Sequence, residues 1–157
     1  MNKTIFIGVA FIAIGGLLWL TLSTRKTMET KPAYIVTDKA PKPIGPYSQA
    51  VAKGNALFVS GQIALDPVNG KLDTADIVSE TKMVMENIKA ILSAAGMSMN
   101  DVAKSTIYMT SLADFPKMND VYGSYFQAGK YPARETVQVA ALPKGVHMEI
   151  SVVAVAQ

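Results

Sequence analysis

One segment of the chain has the period of a long helix, and most of what flanks it is of strand length. Between residues 75 and 95, Ile77, Thr81, Val84, Met85, Ile88, Ile91, Leu92 and Ala95 recur at steps of three and four. That spacing lines one face of an α-helix. Asp73 or Thr74 can cap its start, and Gly96 can close it in the left-handed conformation. Before it, Ala50-Val51-Ala52 and Ala56 to Ser60 flank Lys53-Gly54-Asn55 and read as a β-hairpin. After it come a β-branched strand from Val102 to Met109 and a second helix capped by Asp114. That helix buries Phe115, Met118, Tyr122 and Phe126 and ends at Gly129. Two more strands, Glu135 to Ala140 and Val146 to Ala156, follow with Leu142 to Gly145 as the turn between them. The order β-β-α-β-α-β-β predicts an α+β domain: one sheet with two helices on one face. The other face then needs a cover. Val137, Val139, Ile150, Val152 and Ala154 are expected to make it apolar, and packing sheet to sheet in a homo-oligomer would bury it.

The N-terminal part reads differently. Ile5 to Leu22 contains no charge, with Lys3 before it and Arg25 and Lys26 after it. Eighteen residues in a helix span roughly 27 Å, near the ~30 Å of a bilayer core. A single-pass membrane anchor through residues 5–22 is therefore expected, with a signal segment cleaved near Ser23 as the alternative. The side of the membrane is left open by the flanking charges. A polar tether, Ser23 to Pro32, would join this segment to a domain, giving residues 1–33 and 34–157 as the two parts.

Charge divides at the same boundary. Residues 1–33 carry Lys3, Arg25, Lys26 and Lys31 against Glu29, which accounts for the whole net charge of +3 and leaves residues 34–157 neutral. A neutral domain lacks the basic footprint of a nucleic-acid binder. The chain has no cysteine, which excludes disulfides, thiolate metal sites and thiol nucleophiles. Met83, Met85, Met97, Met99, Met109 and Met118 fall on apolar positions and read as core filling. No glycine-rich phosphate loop is present.

Few residues are left to carry chemistry. His147 is the lone histidine and has neither a triad frame nor co-ligands. Arg134 is the only arginine in residues 34–157 and stands at a loop-to-strand junction after Tyr131-Pro132-Ala133. A guanidinium there suits a bidentate grip on a planar carboxylate or, equally, a surface ion pair. Glu149 interrupts an apolar strand, so its carboxylate is either exposed on an edge or held near a cavity. Tyr47 follows Gly45-Pro46 and either packs on the hairpin or turns its hydroxyl to a cleft.

These residues sit inside a longer pattern. It comprises Ile44-Gly45-Pro46-Tyr47-Ser48-Gln49-Ala50, Val59-Ser60-Gly61-Gln62-Ile63-Ala64-Leu65-Asp66-Pro67, Asn87-Ile88-Lys89-Ala90, Ala94-Ala95-Gly96, Asp114-Phe115, Asn119-Asp120-Val121-Tyr122, Tyr131-Pro132-Ala133-Arg134, Val139 to Pro143, and Met148-Glu149-Ile150. The set resembles the Rid/YjgF family of reactive-intermediate (enamine/imine) deaminases, from about Pro43 to Ala156. The resemblance implies a chorismate-mutase-like α+β fold, a homotrimer and active sites in clefts between subunits. It implies hydrolysis of 2-imino acids, such as 2-iminopropanoate and 2-iminobutanoate, to 2-oxo acids and ammonia, without cofactor or metal. It also implies that Arg134 binds the substrate carboxylate, that Glu149 positions the water, and that Tyr47 completes the catalytic set. Ser60, Gly61 and Asn119 would line the substrate cleft. Thr136 stands where many members carry cysteine, and its backbone carbonyl would still hold a water. A non-catalytic member of the same family, binding a small metabolite or acting as a chaperone, is the alternative. The hydrophobic N-terminal segment departs from the family pattern.

Overall fold

The computed structural model describes residues 31–156. Their elements are β1 (Ala33–Ile35), β2 (Ala50–Lys53), β3 (Ala56–Gln62), α1 (Ile77–Ala94), β4 (Val102–Met109), α2 (Phe115–Gly123), β5 (Ala133–Gln138) and β6 (Met148–Val155). The six strands form one sheet in the order β1-β2-β3-β6-β4-β5. All neighbours are antiparallel except β4 and β5, which run parallel. The α+β class with two helices is the one expected.

Local chemistry explains most of the boundaries. Asp76, not Asp73 or Thr74, caps α1: its Oδ1 accepts the amides of Val78 at 2.8 Å and Ser79 at 2.9 Å. Asp73 stands one step back and accepts the Ser79 hydroxyl at 3.0 Å. Gly96 (φ +74°) closes α1 in the left-handed region as expected. Helix α2 stops at Gly123, short of Gly129. Phe126 nevertheless packs on the core, its ring centroid 4.9 Å from that of Tyr122. Asp114 precedes α2 without a side-chain cap. Strand β1 was not legible as a strand, because three exposed or half-buried residues carry no period.

Strand alternation sorts the sheet into two faces. Met148, Ile150, Val152 and Ala154 point one way, with their register partners Met109, Ile107, Ser105, Val59 and Leu57. All are buried against α1 and α2, together with Val84, Met85, Ile88, Ile91, Leu92 and Met118. This corrects one expectation: Ile150, Val152 and Ala154 belong to the helix-covered core and not to the open face. Packing against α1 uses them, since α1 crosses β6 and β3. The open face instead carries Phe58 (51% exposed) and Val137 (42% exposed), with Val153 paired to Phe58 and Tyr108 paired to Val137. It also holds a surface ion pair, Lys104 Nζ to Glu135 at 3.0 Å. That pair holds the Glu135 carboxyl below its ordinary value.

Among the described residues no helix is long and apolar enough to cross a membrane. The expectation of a membrane-anchored protein is corrected accordingly: no spanning helix is found among the described residues. The run Ile5–Leu22 on which that expectation rested, with its signal-segment alternative, lies outside the described residues.

Candidate active site

Arg134 is the second residue of β5, paired with Ser105 of β4, and so turns toward the helix side of the sheet. α2 crosses that edge. The Arg134 guanidinium carbon lies 4.9 Å from the ring centroid of Tyr122 and 5.5 Å from that of Phe115, within range of a cation–π contact. Tyr122 is itself fixed, because its hydroxyl donates to the buried Ser105 Oγ at 2.8 Å. Burial pushes the Tyr122 phenol above its ordinary value, against the opposing pull of Ser105 and the Arg134 charge. The phenol therefore stays neutral and a donor at neutral pH. Around Arg134 opens a cavity of about 440 Å³ walled by Asn119, Tyr122, Gly123, Tyr131 and Pro132. Among the described residues Arg134 has no carboxylate partner: the ion pairs there involve Lys42, Lys89, Lys104 and His147. Thr136, two residues on and on the same face, has a buried hydroxyl oxygen with no hydrogen-bond partner.

Glu149 stands on the opposite face. It pairs with Tyr108 of β4, where alternation sends its side chain away from the helices. The carboxylate lies over Gly61 of β3: a Cβ at position 61 would fall 1.8 Å from Glu149 Oε1. Only glycine leaves room for it. The β3–β6 register shifts between Val59 and Gln62, a bulge that brings Ser60 and Gly61 to this point. Burial raises the Glu149 carboxyl above its ordinary value, with no charged partner among the described residues to pull it down. Ser60 is anchored, its hydroxyl donating to the Ser48 carbonyl at 2.6 Å. Tyr47 is 47% exposed, and its hydroxyl accepts the Ile44 amide at 3.2 Å. Tyr47 and Gly61 line one narrow cleft with Pro41, Ile44 and Ile63.

The expected site residues thus fall into two groups. Arg134, Asn119 and Thr136 gather at the α2 edge, and Tyr47, Ser60, Gly61 and Glu149 gather at the β3–β6 bulge. One chain does not bring the groups together, because the sheet lies between Arg134 and Glu149. Phe115 and Tyr122, expected only on the buried face of α2, also seat Arg134 with their rings. Sequence reasoning missed Glu80, which is fully buried on α1. Its signal was available: Glu80 falls on the apolar stripe between Ile77 and Val84.

The endoribonuclease L-PSP family model matches residues 37–156. The chain belongs to the Rid/YjgF family. A RutC family protein of Pyrococcus horikoshii is 55% identical over 120 residues, which is 76% of this chain and 94% of the relative. The 2-iminobutanoate/2-iminopropanoate deaminase of mouse is 46% identical over 121 residues, 77% of this chain and 89% of the relative. Among solved structures, Escherichia coli TdcF with bound serine aligns with a TM-score of 0.76 at 43% identity, covering 80% of this chain and 99% of that one. The α+β fold of this chain therefore agrees with the family that its sequence resembles.

Proposed function

We propose that the protein hydrolyses 2-imino acids, such as 2-iminopropanoate and 2-iminobutanoate, to 2-oxo acids and ammonia at sites shared between copies of the chain in a homotrimer. The observation that carries this reading is Arg134. Its guanidinium is seated on two aromatic rings, faces a cavity, and has no carboxylate partner among the described residues. A small 2-imino acid supplies that carboxylate, and two parallel N–H donors suit it. The mouse deaminase named for these substrates, and the amino acid held by TdcF, support the same substrate class.

The chemistry asks little of the protein. Water adds to the C=N carbon, a proton moves to nitrogen, and the resulting carbinolamine expels ammonia to leave the 2-oxo acid. Arg134 fixes the substrate through its carboxylate, so the imine carbon is presented at one distance. Glu149, ionised, accepts a hydrogen bond from the attacking water and turns its lone pair toward that carbon. Orientation of this kind lowers barriers by several kcal/mol. Asn119 and Tyr47 supply further polar groups around the substrate, and Ser60, Gly61 and Thr136 line it. Because Arg134 and Glu149 lie on opposite faces of one sheet, their cooperation requires Arg134 from one copy and Glu149 from the next. The open face, with Phe58, Val137 and Val153, is the surface such packing would cover.

Mixing two damaged copies tests this directly. Arg134→Ala and Glu149→Gln are each expected to be weak in an assay where an amino-acid oxidase generates the imine in place. Co-expressed, they are expected to recover activity, since a mixed trimer contains one interface with both residues intact. No recovery in a mixed trimer would overturn the shared site. A monomer by light scattering would overturn it too.

A further inference from the structure

Glu80 is a buried carboxylate that the chemistry above does not use. It lies in the first turn of α1 with no exposure to solvent, a place where a charged side chain is kept only if hydrogen-bonded. Its Oε1 accepts the backbone N–H of His147 at 2.7 Å and that of Met148 at 3.0 Å. Its Oε2 lies 2.9 Å from His147 Nδ1. A carboxylate only accepts, so the imidazole turns its Nδ1–H inward and leaves Nε2 outward. The next residue of α1 adds to the grip: Thr81 Oγ1 lies 3.0 Å from Met148 Sδ. On the sheet side, the His147 carbonyl accepts the Thr110 amide at 2.9 Å. Both residues before Glu149 are therefore held from two directions.

We infer that Glu80 is a positioning residue for Glu149: by fixing the amides of His147 and Met148 it sets the register at which β6 begins, and so the face and height at which the Glu149 carboxylate is presented over Gly61. The reasoning is geometric. Side chains alternate along a strand, so Met148 enters the core and Glu149 leaves by the other face only while β6 keeps its register. Glu149 is the second residue of β6, where a strand end frays unless tied. The tie comes from α1, on the far side of the sheet from the carboxylate it serves. This inference rests on the reading of Glu149 as the residue that orients the water.

Two variants of the full chain test it. Glu80→Ala removes the acceptor, and kcat is expected to fall on the order of 10- to 100-fold while KM stays within about twofold, since the Arg134 side is untouched. Glu80→Gln keeps an oxygen that accepts from both amides and is expected to restore most of kcat. If Glu80→Ala does not fold, Glu80→Asp takes its place, one methylene too short to reach both amides, with the same expectation. The NMR signal of the Glu149 carboxyl carbon provides a readout independent of turnover. It is expected to move in the Ala or Asp variant and to return in the Gln variant. An unmoved Glu149 signal overturns the inference, as does a loss in which KM rises as much as kcat falls. Wild-type protein without imine hydrolysis would overturn the proposed function alone, and the carboxyl signal would still decide the role of Glu80.

Discussion

Arg134 and Glu149 are the two charges on which the proposed chemistry depends, and the molecule treats them in opposite ways. Arg134 is built in: rings of Phe115 and Tyr122 seat it, and Ser105 holds Tyr122. Its charge is permanent, so what it needs from the fold is direction. Glu149 is made room for: Gly61 leaves it space, burial lifts its carboxyl, and no cation among the described residues faces it. What it needs from the fold is an environment. One half of the site is thus a stacked cation awaiting an anion, and the other is a costly carboxylate awaiting a donor. In the proposed site the substrate carboxylate meets the first and the attacking water meets the second.

Changes at four positions would break or sharpen this contrast. Arg134→Ala is expected to have the largest effect, on the order of 100-fold in kcat/KM, since a charge-assisted hydrogen bond is worth roughly 1.5–3 kcal/mol and each 1.36 kcal/mol is tenfold. Arg134→Lys keeps the charge but not the fork and is expected to recover only part. Steady-state kinetics with unchanged circular dichroism would establish it; full activity in Arg134→Ala would mean that the carboxylate is held elsewhere.

Glu149→Gln is expected to lower kcat by about tenfold or more with little change in KM. It should also act on stability with the opposite sign. A carboxyl whose pKa is raised by folding binds its proton more tightly in the native state. Its contribution to stability is full below the ordinary carboxyl value and declines as pH rises through the raised native value. Glu149→Gln removes that decline, so the variant is expected to melt higher than wild type at pH 7 but not at pH 4. Equal shifts at both pH values would show that burial of this carboxyl costs the fold nothing.

Gly61→Ala comes next. A methyl 1.8 Å from Glu149 Oε1 forces the carboxylate aside, so a several-fold fall in kcat and a loss of about 1–3 kcal/mol from overpacking are expected. A crystal structure of the variant with Glu149 unmoved would contradict this. The smallest effect is expected from Tyr122→Phe. The ring under Arg134 stays and only the bond to Ser105 goes, for about 0.5–1.5 kcal/mol of stability and a few-fold in kcat/KM. If it matched Arg134→Ala, the hydroxyl itself would be touching substrate.

How much of this was legible beforehand depended on the range of the signal. Helix α1 was readable because eight residues repeat one spacing, and its stop was readable because Gly96 must take a positive φ. The strands β2, β3 and β4 were readable from β-branched runs and a turn. What failed were properties set by distant partners. Ile150, Val152 and Ala154 alternate in either orientation, and only α1 decides which face is core. The turn at residues 142–145 joins β5 to β6 in sequence, yet β6 lies between β3 and β4, with β5 beyond. Arg134 and Glu149 could be singled out as odd residues in their segments. That they occupy opposite faces follows from the register on β4, where Arg134 pairs with Ser105 and Glu149 with Tyr108, three residues further on, and no local pattern encodes that register. The run Ile5–Leu22, the most hydrophobic stretch, lies outside the described residues.

The position of β6 carries a consequence for how the protein is made. Of the six described strands, the last to be synthesised is the one that joins the hairpin β2–β3 to the pair β4–β5. Until residue 155 has been synthesised, those two halves share no ladder, and α1 has no β6 to rest on. Folding of this domain therefore waits on its final strand, because the contacts that close the sheet are also the longest in sequence. A nascent chain stalled before β6 would expose β3 and β4 as unpaired edges, the kind of surface that recruits other chains. The same late step delivers Glu149 to Gly61, so a chain that has not finished its sheet has no carboxylate over the β3–β6 bulge.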